Sequence, residues 1–336
     1  MKMANKETWK NTWVQIDWQD GKADDIKKQV NDLILSGTDV NIKNNQGETS
    51  LMWASCQDNS DVVRSLIEHG ADVNAKDNTG QTALFYASLN GSEKVAHMLI
   101  EHGADVHLRD EFGYTVLMDA AFSENAKLVQ TFIEKGVDVN AKNEYDWTAL
   151  MFASNANDGT ACMEMVKSLL NHGADVNVST PLIAVSKKGH KAVVQMLIEH
   201  GADVNAQSVE KRTALIEASE RGHTDVVKVL LEKGADVNAR DYKDQTALME
   251  ASIRGYDEVV NSLLNYGADV NAEDKEGKTV LMEAKNIPGN DAVIQLLEKG
   301  AKDSDSGLIK KLKGMHKNEE TGAQNALLRK KTKEGR

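Results

Sequence analysis

Large rings, prolines and cysteines are all scarce in this chain of 336 residues: Phe, Trp and Tyr number 5, 5 and 6, Pro 2 and Cys 2. A core cannot be built from so few aromatics, so it must come from aliphatic and small side chains, and the position of each ring needs its own explanation. Cys56 and Cys162 cannot make a disulfide framework, and no Cys/His cluster with zinc spacing accompanies them. A reducing compartment is the expectation. No stretch approaches the ~18 uninterrupted apolar residues of a membrane span, and the first residues hold no apolar signal core. The chain is expected to be cytoplasmic and unanchored. An excess of positive charge is missing too: 40 Lys and Arg stand against 52 Asp and Glu, a formal charge of -12. That argues against a phosphate backbone as the partner of the whole molecule.

What the chain has in abundance is repetition. Threonines recur at Thr49, Thr82, Thr115, Thr148, Thr180, Thr213, Thr246 and Thr279, and glycines at Gly70, Gly103, Gly136, Gly173, Gly201, Gly234, Gly267 and Gly300. A period of this kind redefines the whole fold problem. Each unit reads as helix, turn, helix and extended loop. The Thr hydroxyl, as at Thr82, is placed to cap a short first helix whose Leu84 and Ala87 face inward. The second helix carries apolar pairs one turn apart, such as Val62, Val63, Leu66 and Ile67, or Val226, Val227, Leu230 and Leu231. Gly70 and its equivalents supply the left-handed residue that ends that helix. Asp-Val-Asn and Asp-x-x-Gly then form a turn-rich finger. Two helices of this size cannot bury their faces alone, so the units must stack.

At Gly80-Gln-Thr82-Ala-Leu84, Ala87, Val95, Leu99 and Gly103-Ala-Asp-Val, the chain resembles the ankyrin repeat. The likeness covers residues 47–303 as eight repeats, numbered here from the one containing Thr49. Residues 1–46 read as a divergent N-terminal cap and 304–336 as a basic tail. The fold class expected is therefore all-α, an ankyrin-repeat solenoid of stacked helix–turn–helix units with β-turn fingers. The sequence departs from the family's Thr-Pro-Leu-His signature: Pro survives only at Pro181, and the His position holds Met52, Phe85, Met118, Met151, Ile183, Ile216, Met249 and Met282. Different hydrogen bonding at the helix starts is expected from that change. The resemblance implies a non-catalytic protein-binding module that works through its finger tips and the concave face of its first helices.

Candidate chemistry does not survive inspection. His69, His102, His172 and His200 form a ladder, but zinc needs all its nitrogens within ~2.1 Å of one point, whereas equivalent atoms on stacked helices lie ~8–10 Å apart. A ring near the negative end of the helix dipole is the plainer reading. Asp72-Val-Asn74-Ala-Lys76-Asp77 lacks the Gly and the bidentate Glu of a calcium loop. No phosphate-cradling loop or nucleophile elbow is present. We expect no enzyme activity, no catalytic residue, no cofactor and no metal.

Positions that vary between repeats should carry function. The column four residues after Thr reads Trp53, Tyr86, Asp119, Phe152, Ala184, Glu217, Glu250, Glu283; the column one residue before Thr includes Tyr114 and Trp147, and two residues earlier stand Phe112 and Tyr145. With Phe122, these rings put half of the aromatics on the expected binding face of repeats one to four. Exposed rings mark interfaces, since they bury large area at low entropic cost. Trp53, Tyr86, Phe112, Tyr114, Phe122, Tyr145, Trp147 and Phe152 are thus the candidate partner-binding residues, against the plainer reading that Trp53, Tyr86 and Phe152 only pack internally. Glu217, Glu220, Glu250 and Glu283, interleaved with Arg212, Arg221, Lys243 and Arg254, read as a solvated mixed-charge face.

One junction is irregular. Extra residues around Asn155–Thr160 are expected to lengthen the turn inside repeat four. The shortened Val178-Ser-Thr180 removes most of the next finger and should leave a notch beside Trp147. Trp9, Trp13 and Ile16 share a helical face suited to capping repeat one. Residues 304–336 carry nine Lys/Arg and four Asp/Glu, net +5, so 31 minus 48, or -17, remains for residues 1–303. Leu308, Ile309 and Leu312 suit a short covering helix. Nine scattered charges without interleaved rings make a poor nucleic-acid or membrane site, so a tail that tethers the chain to nucleic acid or an anionic membrane is the second reading. The first is a monomeric scaffold for a protein partner of unknown identity.

Overall fold

The computed structural model describes residues 23–302, which fall into two units divided between Ser208 and Val209. The capping residues Trp9, Trp13 and Ile16 and the basic tail lie outside the described residues. Unit one opens with a helix at Ala23–Leu35 and continues through five helix pairs: Ser50–Cys56 with Ser60–Glu68, Ala83–Leu89 with Glu93–Glu101, Val116–Phe122 with Ala126–Glu134, Ala149–Ser154 with Gly159–Asn171, and Pro181–Lys188 with Lys191–Glu199. Unit two contains Ala214–Arg221 with Thr224–Glu232, Ala247–Ile253 with Asp257–Asn265, and Val280–Lys285 followed by helical residues 291–302. Among the described residues no strand forms, and two isolated bridges, Arg109 to Thr115 and Glu273 to Thr279, brace fingers.

First helices of six to eight residues are too short to persist alone in water. Stacking holds them. Leu84, Leu117, Leu150, Leu215 and Leu248 are 2% exposed or less, as are Val63, Leu66, Val95, Leu99, Leu128, Val129, Leu169, Val227 and Leu230 of the second helices. Burying each such side chain contributes about 1.5–3 kcal/mol. The apolar residues that replace the family's His join this core: Met52, Phe85, Met118, Ile216 and Met249 are 1% exposed or less, while Met282, in the last repeat, is 58% exposed.

The expected helix starts are seen at six of the eight threonines. Thr49, Thr115, Thr148, Thr213, Thr246 and Thr279 each accept from the amide three residues on, at 3.3–3.4 Å. Thr82 and Thr180 do not: Thr82 makes no capping bond, and Thr180 sits at φ 54 just before Pro181, out of capping geometry. The glycines end second helices as expected, with Gly70, Gly103, Gly201 and Gly234 at φ 88 to 90 and open space where a Cβ would stand, so backbone conformation alone selects glycine there. Gly300 differs. It lies inside the helical 291–302 segment, where Leu264 and Val270 press against it.

The irregularity in repeat four also falls elsewhere than expected. The extra residues enter the second helix: Gly159–Asn171 has 13 residues against 9 in the other second helices of unit one, one added turn at its start. Asp158 caps it through Thr160 N at 2.8 Å, and Glu124 of the previous repeat accepts from Asn157 N at 2.8 Å and Asp158 N at 3.1 Å. These bonds, Asn157's first, hold the Glu124 carboxyl below the usual carboxylate range. A helix propagates at one bond per residue once nucleated, so lengthening it leaves fewer unsatisfied amides than a longer loop would.

Candidate functional site

The fingers are laced to one another by backbone and side chain. Asp77, Asp110, Asn143, Asp241 and Asp274 stand five residues before a Thr, and each uses Oδ1 to hold its own finger turn; Asp110, for example, accepts from Phe112 N at 3.0 Å and Tyr114 N at 2.8 Å. Neighbouring fingers then pair, Glu111 N donating to Thr79 O at 2.8 Å and Glu144 N to Phe112 O at 2.9 Å. Farther along, Asn74 Nδ2 donates to Gly103 O at 2.9 Å while its Oδ1 accepts from Asp105 N at 2.8 Å, and Asn41, Asn140, Asn177 and Asn238 repeat that clasp.

This lacing aims Glu48, Gln81 and Arg212, each one residue before a Thr, at the following repeat. Between them they reach a finger residue 29 positions on and a first-helix residue 38 positions on. Each such meeting point is a slot, and the slots differ in filling. In the first, Glu48 accepts from Trp53 Nε1 at 3.2 Å and from the Tyr86 hydroxyl at 3.0 Å, and that hydroxyl also meets Asp77 at 2.9 Å. Trp53 and Tyr86 are therefore half-buried and internally engaged, not free rings; burial, then Asp77 and Glu48, pushes the Tyr86 hydroxyl far above its ordinary range.

The third and fourth slots hold the ring cluster. Phe152 is its floor, 8% exposed, because finger residues of two repeats and a ring from the preceding first helix close over it: Tyr114 at 5.9 Å, Trp147 at 5.2 Å and Phe122 at 6.2 Å between ring centroids. Such offset and edge contacts add about 0.5–1.5 kcal/mol each beyond burial. Phe152 is thus a supporting ring and not a contact surface. Tyr114 and Trp147 are half-buried, while Phe112, Phe122 and Tyr145 stand 43%, 62% and 67% exposed. Burial first, then the neighbouring Tyr145 hydroxyl, raises the Tyr114 hydroxyl. Beside the cluster, Asp119 occupies the column of Trp53 and Phe152 yet is 6% exposed. Burial, and after it the charge of Asp110, pushes its carboxyl up to about 8.

Unit two fills its slot with charge. Arg212 meets Glu217 and Glu220 of its own repeat, Asp241 Oδ2 at 3.4 Å and Glu250 Oε1 at 3.2 Å, and Arg254 adds contacts to Glu220 and Glu250. With side chains of Arg212, Glu217, Asp241 and Glu250 exposed by only 12%, 8%, 1% and 9%, this is a buried network and not the solvated face the sequence suggested. The spacing was readable as 29 and 38; reading each column singly hides it.

The histidine ladder has a structural role. Nδ1 of His69, His102, His172 and His200 donates to the carbonyl four residues back at 2.7–2.8 Å, satisfying last-turn acceptors. Among the described residues no group of His, Cys, Asp or Glu is placed to hold a metal ion. Burial, then Glu124 and Asp158, pushes the Cys162 thiol up to about 12, leaving it without thiolate character at neutral pH. No helix among the described residues is long and apolar enough to cross a membrane.

Stacked helix pairs, laced fingers and a clasping asparagine define a repeat protein, and comparison with known families agrees. A family model of ankyrin repeats in three copies matches residues 22–110, 103–180 and 156–241, and one of ankyrin repeats in many copies matches 230–284. The chain belongs to the ankyrin-repeat family, whose repeats are generally protein–protein interaction modules and typically non-enzymatic. Among solved structures it is similar to the human ASB11 ankyrin repeat domain, with 26% identity over 75% of this chain and 98% of that one at a TM-score of 0.47. No curated protein matches it.

Proposed function

We propose that this chain is a non-enzymatic scaffold that holds a protein or peptide on the finger and first-helix face of repeats one to four. The observation that carries the reading is the ring cluster of repeats three and four: Phe112, Phe122 and Tyr145 are exposed around a packed base of Tyr114, Trp147 and Phe152. A pre-packed base matters because rings already held in place lose little further entropy on binding. The partner-contacting residues are Phe112, Phe122, Tyr145, Tyr114 and Trp147, with Phe152 as support and Trp53 and Tyr86 as the stiffened neighbouring slot. The shortened finger at Val178–Thr180 forms a wall beside Trp147. The chain acts as a monomer in a reducing, cytoplasmic setting, where Cys56 and Cys162 stay free thiols. The test is affinity capture from native lysate with the intact chain, a Phe122→Asp/Tyr145→Asp variant and a truncation after Asp303. Loss of partners with the double variant and retention with the truncation supports the reading. The reverse pattern points to a basic-tail tether and refutes it.

A further inference from the structure

The slots differ in where their positive charge comes from. In the Arg212 slot the chain's own finger supplies a guanidinium to Glu217, Asp241 and Glu250. The slot between repeats two and three has the same skeleton, with Asp110 in the place of Asp241, Asp119 in that of Glu250 and Gln81 in that of Arg212. Gln81 is one charge short. Its Nε2 donates to Asp110 Oδ2 at 2.9 Å, and among the described residues no hydrogen bond or ion pair reaches the Asp119 carboxyl, which is 6% exposed. The surrounding elements offer no cation. Tyr86 of the preceding first helix is committed to Glu48 and Asp77, and the following first helix, Ala149–Ser154, has no ionisable side chain. In the second helix of its own repeat, Lys127 is exposed and paired with Glu93 at 3.3 Å, and Glu134 is exposed. The Gln245 slot of unit two shows the same lack: Glu283 Oε2 is buried without a partner, and burial, then Asp274, raises that carboxyl. Where glutamine replaces arginine before the Thr, the finger supplies no guanidinium to the carboxyl 38 positions on.

We infer that the slot of Gln81, Asp110 and Asp119 is an arginine subsite, filled by a guanidinium from a bound partner peptide in the way that Arg212 fills its own slot. This rests on the binding-face reading above and names the chemistry of the partner. Buried carboxylates with a matching cation favour association and reject wrong partners, and a guanidinium offers the forked donors that two carboxylates need. The exposed rings of repeats three and four would take the apolar residues next to that arginine.

The experiment uses the full chain and an immobilised library of random twelve-residue peptides in two forms, one fixed as arginine at a central position and one fixed as citrulline, the uncharged analogue. The wild type should be retained about tenfold more by the arginine form, as expected for one charged hydrogen-bonded pair. Asp119→Asn should erase that preference, and so should Gln81→Arg, which supplies the guanidinium from within. Both variants are to be checked as folded by circular dichroism. Equal retention of the two forms by the wild type, or a preference that survives in either variant, overturns the inference. A third variant, Phe122→Asp, separates the two readings. If arginine preference is absent while Phe122→Asp still lowers retention, the subsite fails and the aromatic face stands; if retention ignores Phe122→Asp, the face itself fails.

Discussion

Replacing Asp119 with asparagine should stabilise the protein, and more so as pH rises. The carboxyl's ordinary pKa is 3.8 and its folded value is about 8. Between those values the folded chain holds a proton that the unfolded chain has released, so stability falls with rising pH by about 1.4 kcal/mol per unit. Below the lower value both states are protonated and the penalty is absent; above the upper one it is constant, at a ceiling of about 6 kcal/mol. Asparagine keeps the shape and does not titrate. Urea unfolding followed by tryptophan fluorescence, on wild type and variant at about pH 5 and about pH 8, gives the comparison. The stability difference should widen in favour of Asp119→Asn by on the order of 4 kcal/mol between those two conditions. Parallel pH profiles for the two proteins would show that Asp119 ionises freely in the fold, which removes the charge-deficient slot from the account.

Three further outcomes follow from the same geometry. Arg212→Met strands Glu217, Asp241 and Glu250 and should destabilise by about 3–5 kcal/mol, with Glu217→Gln and Glu250→Gln added to the same chain restoring much of it in thermal melts. Thr115→Val should cost about 1 kcal/mol of stability through its lost cap, whereas Thr82→Val, which removes no capping bond, should cost a few tenths or less; equal losses would refute the assignment. Gly103→Ala, at φ 88 with open space around the new Cβ, should cost about 1 kcal/mol from backbone strain alone, and Gly47→Ala more, because Asn78 backbone lies 2.7 Å from that Cβ.

Local physics written once per repeat was legible in the chain. The threonine spacing, the apolar pairs of the second helices and the left-handed glycines each depend on neighbours a turn away, and the structure places them as the residues indicate except at Thr82, Thr180 and Gly300. What depended on two repeats at once was not. Tyr86 and Trp53 looked like free rings because Glu48, which holds both, belongs to another column. Arg212 and Glu250 looked solvated because their separation of 38 positions is invisible to a reading within one repeat. Phe152 looked exposed for the same reason, its cover coming from Tyr114 and Phe122 of the preceding repeat. The inserted residues of repeat four were assigned to a turn, since Asn155, Asn157 and Gly159 favour turns, but Asp158 captures them as a helix start.

The claim that partners bind on the ring-bearing face of repeats three and four is tested most directly by photo-crosslinking. A photoreactive phenylalanine analogue would be placed at Phe122, 62% exposed in that cluster, or at Tyr266, 49% exposed at the end of a second helix in unit two. The account predicts a discrete crosslinked protein from Phe122 that is suppressed by Tyr145→Asp, and none from Tyr266. A crosslink from Tyr266 with nothing from Phe122 would contradict it.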